Sequence, residues 1–430
     1  MKIATLKDNL ATLKIREYYL ILFMILIIFI CDLFAVMSYR GLYSDGANFF
    51  ITILTSEDYL RFDWHRQFAH FATQWPVILA LKNQVMDLET LELLHSAGLI
   101  LLPDLIWFIS ILLLRGYTRW IMFIAFVISR FDAGMFSVSE MHISLALCGL
   151  SVSLILRDGF SFLRGVVLWV AGLLLVRSYE SCIFLSAALA FVAIYIAFDP
   201  RDANMKRIFF TGGFCLLMIA ATLYSVESVL FPRDPVNFAR MFNKSAILTN
   251  TQLAFGIVLL GSVITIGMTN RFRTVAITCA GLAIVGLVFP FMWSTPSEHY
   301  RARLAVALAV FGAVLASLFL RRTTPTKGAR AAVASATLLF VLVSAASDVS
   351  HTLGWRQFLD SFSSEVQVLD GSMSFEQTNL KKLEYQPSWV FPTMSVLFRP
   401  KGSKAMITKG FDGWEPFDPE NGVPDIEKFK

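Results

Sequence analysis

Between the first long apolar run and the next, the chain carries a polar stretch, YRGLYSDGANFFITILTSEDYLRFDWHRQFAHFATQWP (39–76), in which ionisable side chains alternate with aromatic ones. Asp45 stands a few residues past the apolar run, followed by Gly46 and Ala47, whose small size leaves room for a second molecule. A carboxylate held at a membrane surface and crowded by Phe49, Phe50, Trp64 and Phe68 is placed to act as a general base towards a hydroxyl arriving from water. Asp63, His65 and Arg66 follow as candidates to contact a substrate, in a loop that also carries His70. Glu57 and Asp58 carry less weight, since adjacent acids after a strand-like ITILT run commonly begin a helix. The same composition also fits a solvated loop with an interfacial aromatic belt.

Positive charge supplies the complementary half of such chemistry. Arg177, in the turn RSYES, and Arg301 and Arg303, in STPSEHYRAR, are suited to an anion, because a planar guanidinium donates two parallel hydrogen bonds to a phosphate. Glu140 and His142 in RFDAGMFSVSEMH, Glu180 beside Arg177, and His299 complete the candidates. Each also has a plainer reading: Arg130, Glu140 and His142, or Tyr179 and Glu180, as ion pairs internal to their hairpins, and the 294–303 run as a loop touching lipid headgroups. His65 and His70 are five apart and form no HxxxH pair; HExxH, Gly-rich phosphate loops and GxSxG elbows are absent, so no cytoplasmic nucleotide site is indicated.

The elements that must hold these residues are membrane helices. Of 430 residues 56% are hydrophobic and only 16% charged, with a mean hydropathy of +0.63, against about 25% charged in soluble chains. A net charge of +5 is small for this length and is no nucleic-acid footprint. The five cysteines lie in or beside apolar runs without CxxC spacing, which indicates neither a disulfide framework nor a metal knuckle.

Apolar runs at 18–38, 88–114, 120–131, 142–156, 166–176, 182–198, 208–231, 252–268, 274–293, 304–320 and 331–347 predict an all-α polytopic membrane protein of about eleven transmembrane helices. Residues 1–17 form an amphipathic start, 39–87 a large first external loop in which 74–85 lies along the interface, and 348–430 a small extracytoplasmic cap. The loops at 115–119, 157–164, 201–207, 271–273 and 321–330 hold the excess of Lys and Arg, which places the amino terminus in the cytoplasm and the tail outside. With no cysteines, the tail must draw its order from packing on the bundle, with Trp355, Phe358, Trp389, Phe391 and Trp414 as contacts.

This layout resembles the GT-C superfamily of polytopic glycosyltransferases that use lipid-linked sugars, over most of the chain. Members have an acidic residue soon after the first helix, short charged outer hairpins, and often an external carboxy-terminal domain. The DWHRQFAHFATQWP and WVFPTMSVLFRP blocks are more similar to uncharacterised bacterial members than to any enzyme of known substrate. The resemblance implies that Asp45 in YSDGANFF takes the place of the catalytic base and that Arg301 or Arg303 meets the carrier phosphate. Many members have a second acid near the first; here Gly46, Ala47 and Asn48 follow, so the divalent metal used in the family is left open.

The function expected from this resemblance is transfer of a sugar from a polyprenyl-phosphate donor to an extracytoplasmic glycan or lipid acceptor, in the inner membrane of a bacterium. The rival classes are a transporter or flippase for a lipid-linked or anionic substrate, which would show paired half-repeats and interrupted helices, and a noncatalytic membrane scaffold.

Overall fold

The computed structural model describes residues 2–61, 66–133, 140–199, 205–231, 296–321, 327–382, 390–408 and 424–430. Helix α1 (Lys2–Met37) leads through a single 3-10 turn (Arg40–Leu42) into α2 (Asp45–Ser56) and α3 (Gln67–Lys82). Helix α4 (Leu88–Ser96) continues through a π turn (Ala97–Leu101) into α5 (Leu102–Leu113). Then come α6 (Gly116–Ala133), α7 (Glu140–Leu156), α8 (Phe162–Val176), α9 (Cys182–Ala197), α10 (Met205–Leu230), α11 (Pro296–Leu320) and α12 (Lys327–Val368).

Among the described residues four segments are long and apolar enough to cross a membrane: Glu17–Met37, Leu88–Leu113, Met205–Leu230 and Val333–Val368. Helices α7, α8 and α9 are apolar but shorter. The spans expected at 252–268 and 274–293 lie outside the described residues. Helix α10 shows how the bundle meets its surroundings. Phe210, Phe214, Met218 and Ala221 are buried on one face, while Phe209, Leu216, Ile219 and Leu223 project outward, so both faces are apolar and only lipid suits the outer one. Helix α7 sits at the centre, buried at every residue but Leu150. Gly149 lets it approach α5, since a Cβ there would come 2.4 Å from the Trp107 ring.

The basic loops meet one another. Trp120 Nε1 donates to Glu17 at 2.9 Å, Arg207 to the Ile155 carbonyl at 2.6 Å, and Arg321 to Asp158 at 3.1 Å. At the opposite end the connections are mixed in charge, and this is where the candidate site lies.

That end is covered by a second hydrophobic core, separate from the bundle's. Phe50, Ile53, Leu54, Val77 and Ile78 from α2 and α3 pack with Trp355, Phe358 and Phe362 from the last turns of α12, and with Phe391 and Ile407 from the tail. Trp355 and Phe358 stack at 5.4 Å. The tail adds α13 (Phe391–Phe398) and a two-stranded parallel pairing of β1 (Ser372–Ser374) with β2 (Met406–Thr408), Ser372 opposite Met406. Trp389 and Trp414 lie outside the described residues.

The structure departs from the sequence reading in two places. The 39–87 segment, read as an external loop with a strand-like ITILT, contains two helices, because burial of Phe49, Phe50, Ile53 and Leu54 on one face outweighs the β preference of Ile51, Thr52 and Thr55. The boundary drawn at 347/348 falls inside α12, which runs unbroken from bundle to cap.

Candidate functional site

Asp45 opens α2, half-buried, in the first turn where the exposed backbone N–H groups favour negative charge. The approach is sharply bent. Ser44 adopts φ 54°, ψ −130°, and the Gly46 N–H donates to the Tyr43 carbonyl at 3.1 Å. The Gly46 carbonyl lies 3.0 Å from His95 Nε2 of α4; a carbonyl only accepts, so that nitrogen carries the proton. One turn along α2, Phe49 sets its edge against the ring of His70, 5.1 Å between centroids.

His70 belongs to a half-open cluster of charges. Arg66, just before α3, donates to Glu180 Oε1 from Nε at 3.1 Å and Nη2 at 2.8 Å, reaches Glu140 at 3.5 Å, and lies over the Tyr179 ring. Ser228 of α10 also donates to Glu180, at 3.3 Å. Burial pushes the Glu180 carboxyl up, and the Arg66 guanidinium more than offsets it, leaving the group below its ordinary range. His70 Nε2 is 3.6 Å from Glu140, while its Nδ1 meets the Gln74 amide at 3.0 Å. The Leu60 N–H donates to Gln74 Oε1 at 3.0 Å, which fixes the amide orientation: Gln74 donates to Nδ1, and the neutral ring holds its proton on Nε2, facing Glu140. Arg177 donates to Gln67 at 3.4 Å and to the Tyr224 hydroxyl at 3.3 Å, and its carbonyl accepts from the Phe68 N–H.

Deeper in the bundle is a buried network. Arg130 of α6 is paired with Asp32 of α1 at 2.7 Å, with Asp104 of α5 and with Asp348 of α12. Arg40, in the 3-10 turn, donates to Asp348 at 2.9 Å and Thr352 at 2.6 Å. His142 Nε2 of α7 lies 2.6 Å from Asp104. Every one of these ionisable residues is buried. Charges this deep in an apolar bundle are costly and therefore mark function or obligatory pairing.

The structure thus brings Arg66, Glu140, Glu180 and Arg177 together and joins His142 to the network behind them. It corrects the hairpin pairings: Arg130 pairs with Asp32, Asp104 and Asp348 instead of Glu140 or His142, and Glu180 with Arg66 instead of a partner in its own turn. Partners on other helices can point straight across the packed interface, whereas neighbours in a tight turn diverge. Asp63 and His65 lie outside the described residues, as do the side chains of His299, Arg301 and Arg303, whose backbone forms the start of α11. Sequence reasoning missed Arg40, Asp104 and Asp348. The signal for the two acids was available, since each interrupts an apolar run, in LLPDLIWF and VSAASDVS. Among the described residues no group of three His, Cys, Asp or Glu is arranged to hold a metal ion.

Fold and site together define a helical membrane protein with a charged end closed by a cap. No protein family, curated protein or solved structure matches the chain.

Proposed function

We propose that the protein is a membrane glycosyltransferase that moves a sugar from a polyprenyl-phosphate donor to an extracytoplasmic glycan or lipid acceptor, with Asp45 as the general base. The observation that carries this reading is the position of Asp45: half-buried, at the head of α2, one turn from the Phe49–His70 contact that leads into the Arg66, Glu140 and Glu180 cluster. The acceptor hydroxyl gives its proton to the Asp45 carboxylate while its oxygen bonds to the anomeric carbon. The bond from that carbon to the carrier phosphate breaks, and the phosphate leaves with the electron pair. Arg177, which lies at this end of the bundle with hydrogen bonds to Gln67 and Tyr224, is suited to receive that charge, with Arg301 and Arg303 near the start of α11 as further candidates. The excess of Lys and Arg on the opposite loops supports an inner-membrane orientation with the amino terminus in the cytoplasm.

The test is transfer or hydrolysis of a radiolabelled isoprenoid-phosphate sugar by the full chain in nanodiscs. Activity that depends on Asp45 supports the reading; turnover unchanged in Asp45→Asn removes it. A second reading, a transporter, is favoured by the Arg130 network, since buried charges shared among several helices can line a path. Flux of a lipid-linked or anionic substrate across proteoliposomes, undiminished in Asp45→Asn, would favour it.

A further inference from the structure

The Arg130 network contains a charge imbalance that the proposed reaction does not use. Two guanidiniums, of Arg40 and Arg130, face three carboxylates, of Asp32, Asp104 and Asp348, a net charge of minus one with His142 neutral. All six residues are buried: Asp32 and Asp104 are 0% exposed and His142 is 3% exposed. The other groups against the network are the Cys31 thiol, neutral in its ordinary form, and the Thr352 hydroxyl, which donates to the Asp348 carbonyl. His351, one turn along α12 from Asp348, is a half-buried titratable group of the same helix. Asp32 Oδ2 and His142 Nδ1 are buried with no hydrogen-bond partner among the described residues, so the network also has unused places for a proton. An uncompensated charge buried this deeply is costly, and taking up a proton removes it.

We infer that the network is a proton-binding site: at neutral pH it holds one proton, placed on His142 or on one of the three carboxyls, which brings its net charge to zero. The proton comes from water, forms one N–H or O–H bond, and displaces nothing. Asp104 lies between His142 and Arg130, so the proton can pass between imidazole and carboxyl without leaving the network. Because Asp348 sits on the helix that runs on into the cap, occupancy of this site bears on the helix joining bundle to cap.

The test is infrared spectroscopy of the full chain in nanodiscs at neutral pH, read at the carbonyl stretch of protonated carboxyls, with 15N NMR of histidine-labelled protein. The wild type is expected to show a protonated carboxyl or an imidazolium that Asp32→Asn abolishes, because that variant is already neutral. His142→Gln keeps the imbalance, so its proton is expected on a carboxyl, with the carbonyl band retained or strengthened. Both variants are near isosteric, and the wild-type spectrum stands without them. Neither signal in the wild type, the same signals in Asp32→Asn as in wild type, or a signal that sodium or potassium removes at constant pH would each overturn the inference. The result is independent of sugar transfer, since Asp45→Asn is expected to leave the wild-type signal in place.

Discussion

Arg40 donates to the Asp348 carboxylate at 2.9 Å, both side chains buried, across 308 residues of sequence. The bond ties the turn that precedes Asp45 to the helix that passes from bundle to cap.

Removing one partner of this pair should be costly. In Arg40→Met, Asp348 loses one of its two guanidiniums while remaining buried, and breaking a buried pair costs about 3–5 kcal/mol. Adding Asp348→Asn removes the stranded charge, so the double variant is expected to be more stable than the sum of the single changes by about 1 kcal/mol or more. Thermal scans of all four proteins in one detergent check the cycle. Additivity would mean that the two residues do not interact.

Gly98, in the π turn, faces the backbone of α3. A Cβ there would lie 2.1 Å from the Thr73 carbonyl oxygen, and a backbone atom cannot swing aside as a flexible side chain can. Gly98→Ala is expected to push α3 away from the π turn and cost roughly 1–3 kcal/mol, read from the denaturation midpoint. A midpoint equal to that of the parent would show that the two segments can separate freely.

The Tyr39 hydroxyl donates to Glu89 at 3.0 Å, and burial together with that bond pushes the phenol up to about 12. A group with a raised folded value contributes stability below its unfolded value, about 10, and loses it as pH rises through the folded one. The link between the start of α4 and the end of α1 is therefore expected to weaken between about pH 10 and pH 12. The difference in tyrosinate absorbance between the parent and Tyr39→Phe should show one late-titrating phenol. Titration near pH 10 would contradict the contact.

Asp45→Asn preserves shape and cannot take a proton. Loss of a general base typically lowers rate by 10²- to 10⁴-fold, roughly 3 to 5 kcal/mol of barrier, whereas loss of a surface charge changes stability by about half a kcal/mol. The variant is expected to fold and insert like the parent, to bind the lipid donor, and to transfer sugar at least about a hundredfold more slowly. Rate and melting temperature measured side by side separate a base from a helix-capping acid.

The helical membrane class was legible in the sequence because long apolar runs fail to pay for exposure to water in any other setting, and the sorting of Lys and Arg into alternate loops showed which connections share an end. The aromatic residues Trp355, Phe358 and Phe391 were recognisable as what the tail packs with, since a polar segment of that length has few other ways to order itself. The pairing of charges was not legible. Arg130 has Glu140 ten residues away in sequence, yet it pairs with Asp32, Asp104 and Asp348, brought to it by three other helices. Sequence separation says nothing about which helices touch, because that is settled by how side chains such as Trp107 fit against Gly149 and how α3 fits against Gly98. The amino acids alone determined that buried charges would need partners; only the packing of α1, α5, α6, α7 and α12 around one guanidinium decided which, and left the network one positive charge short.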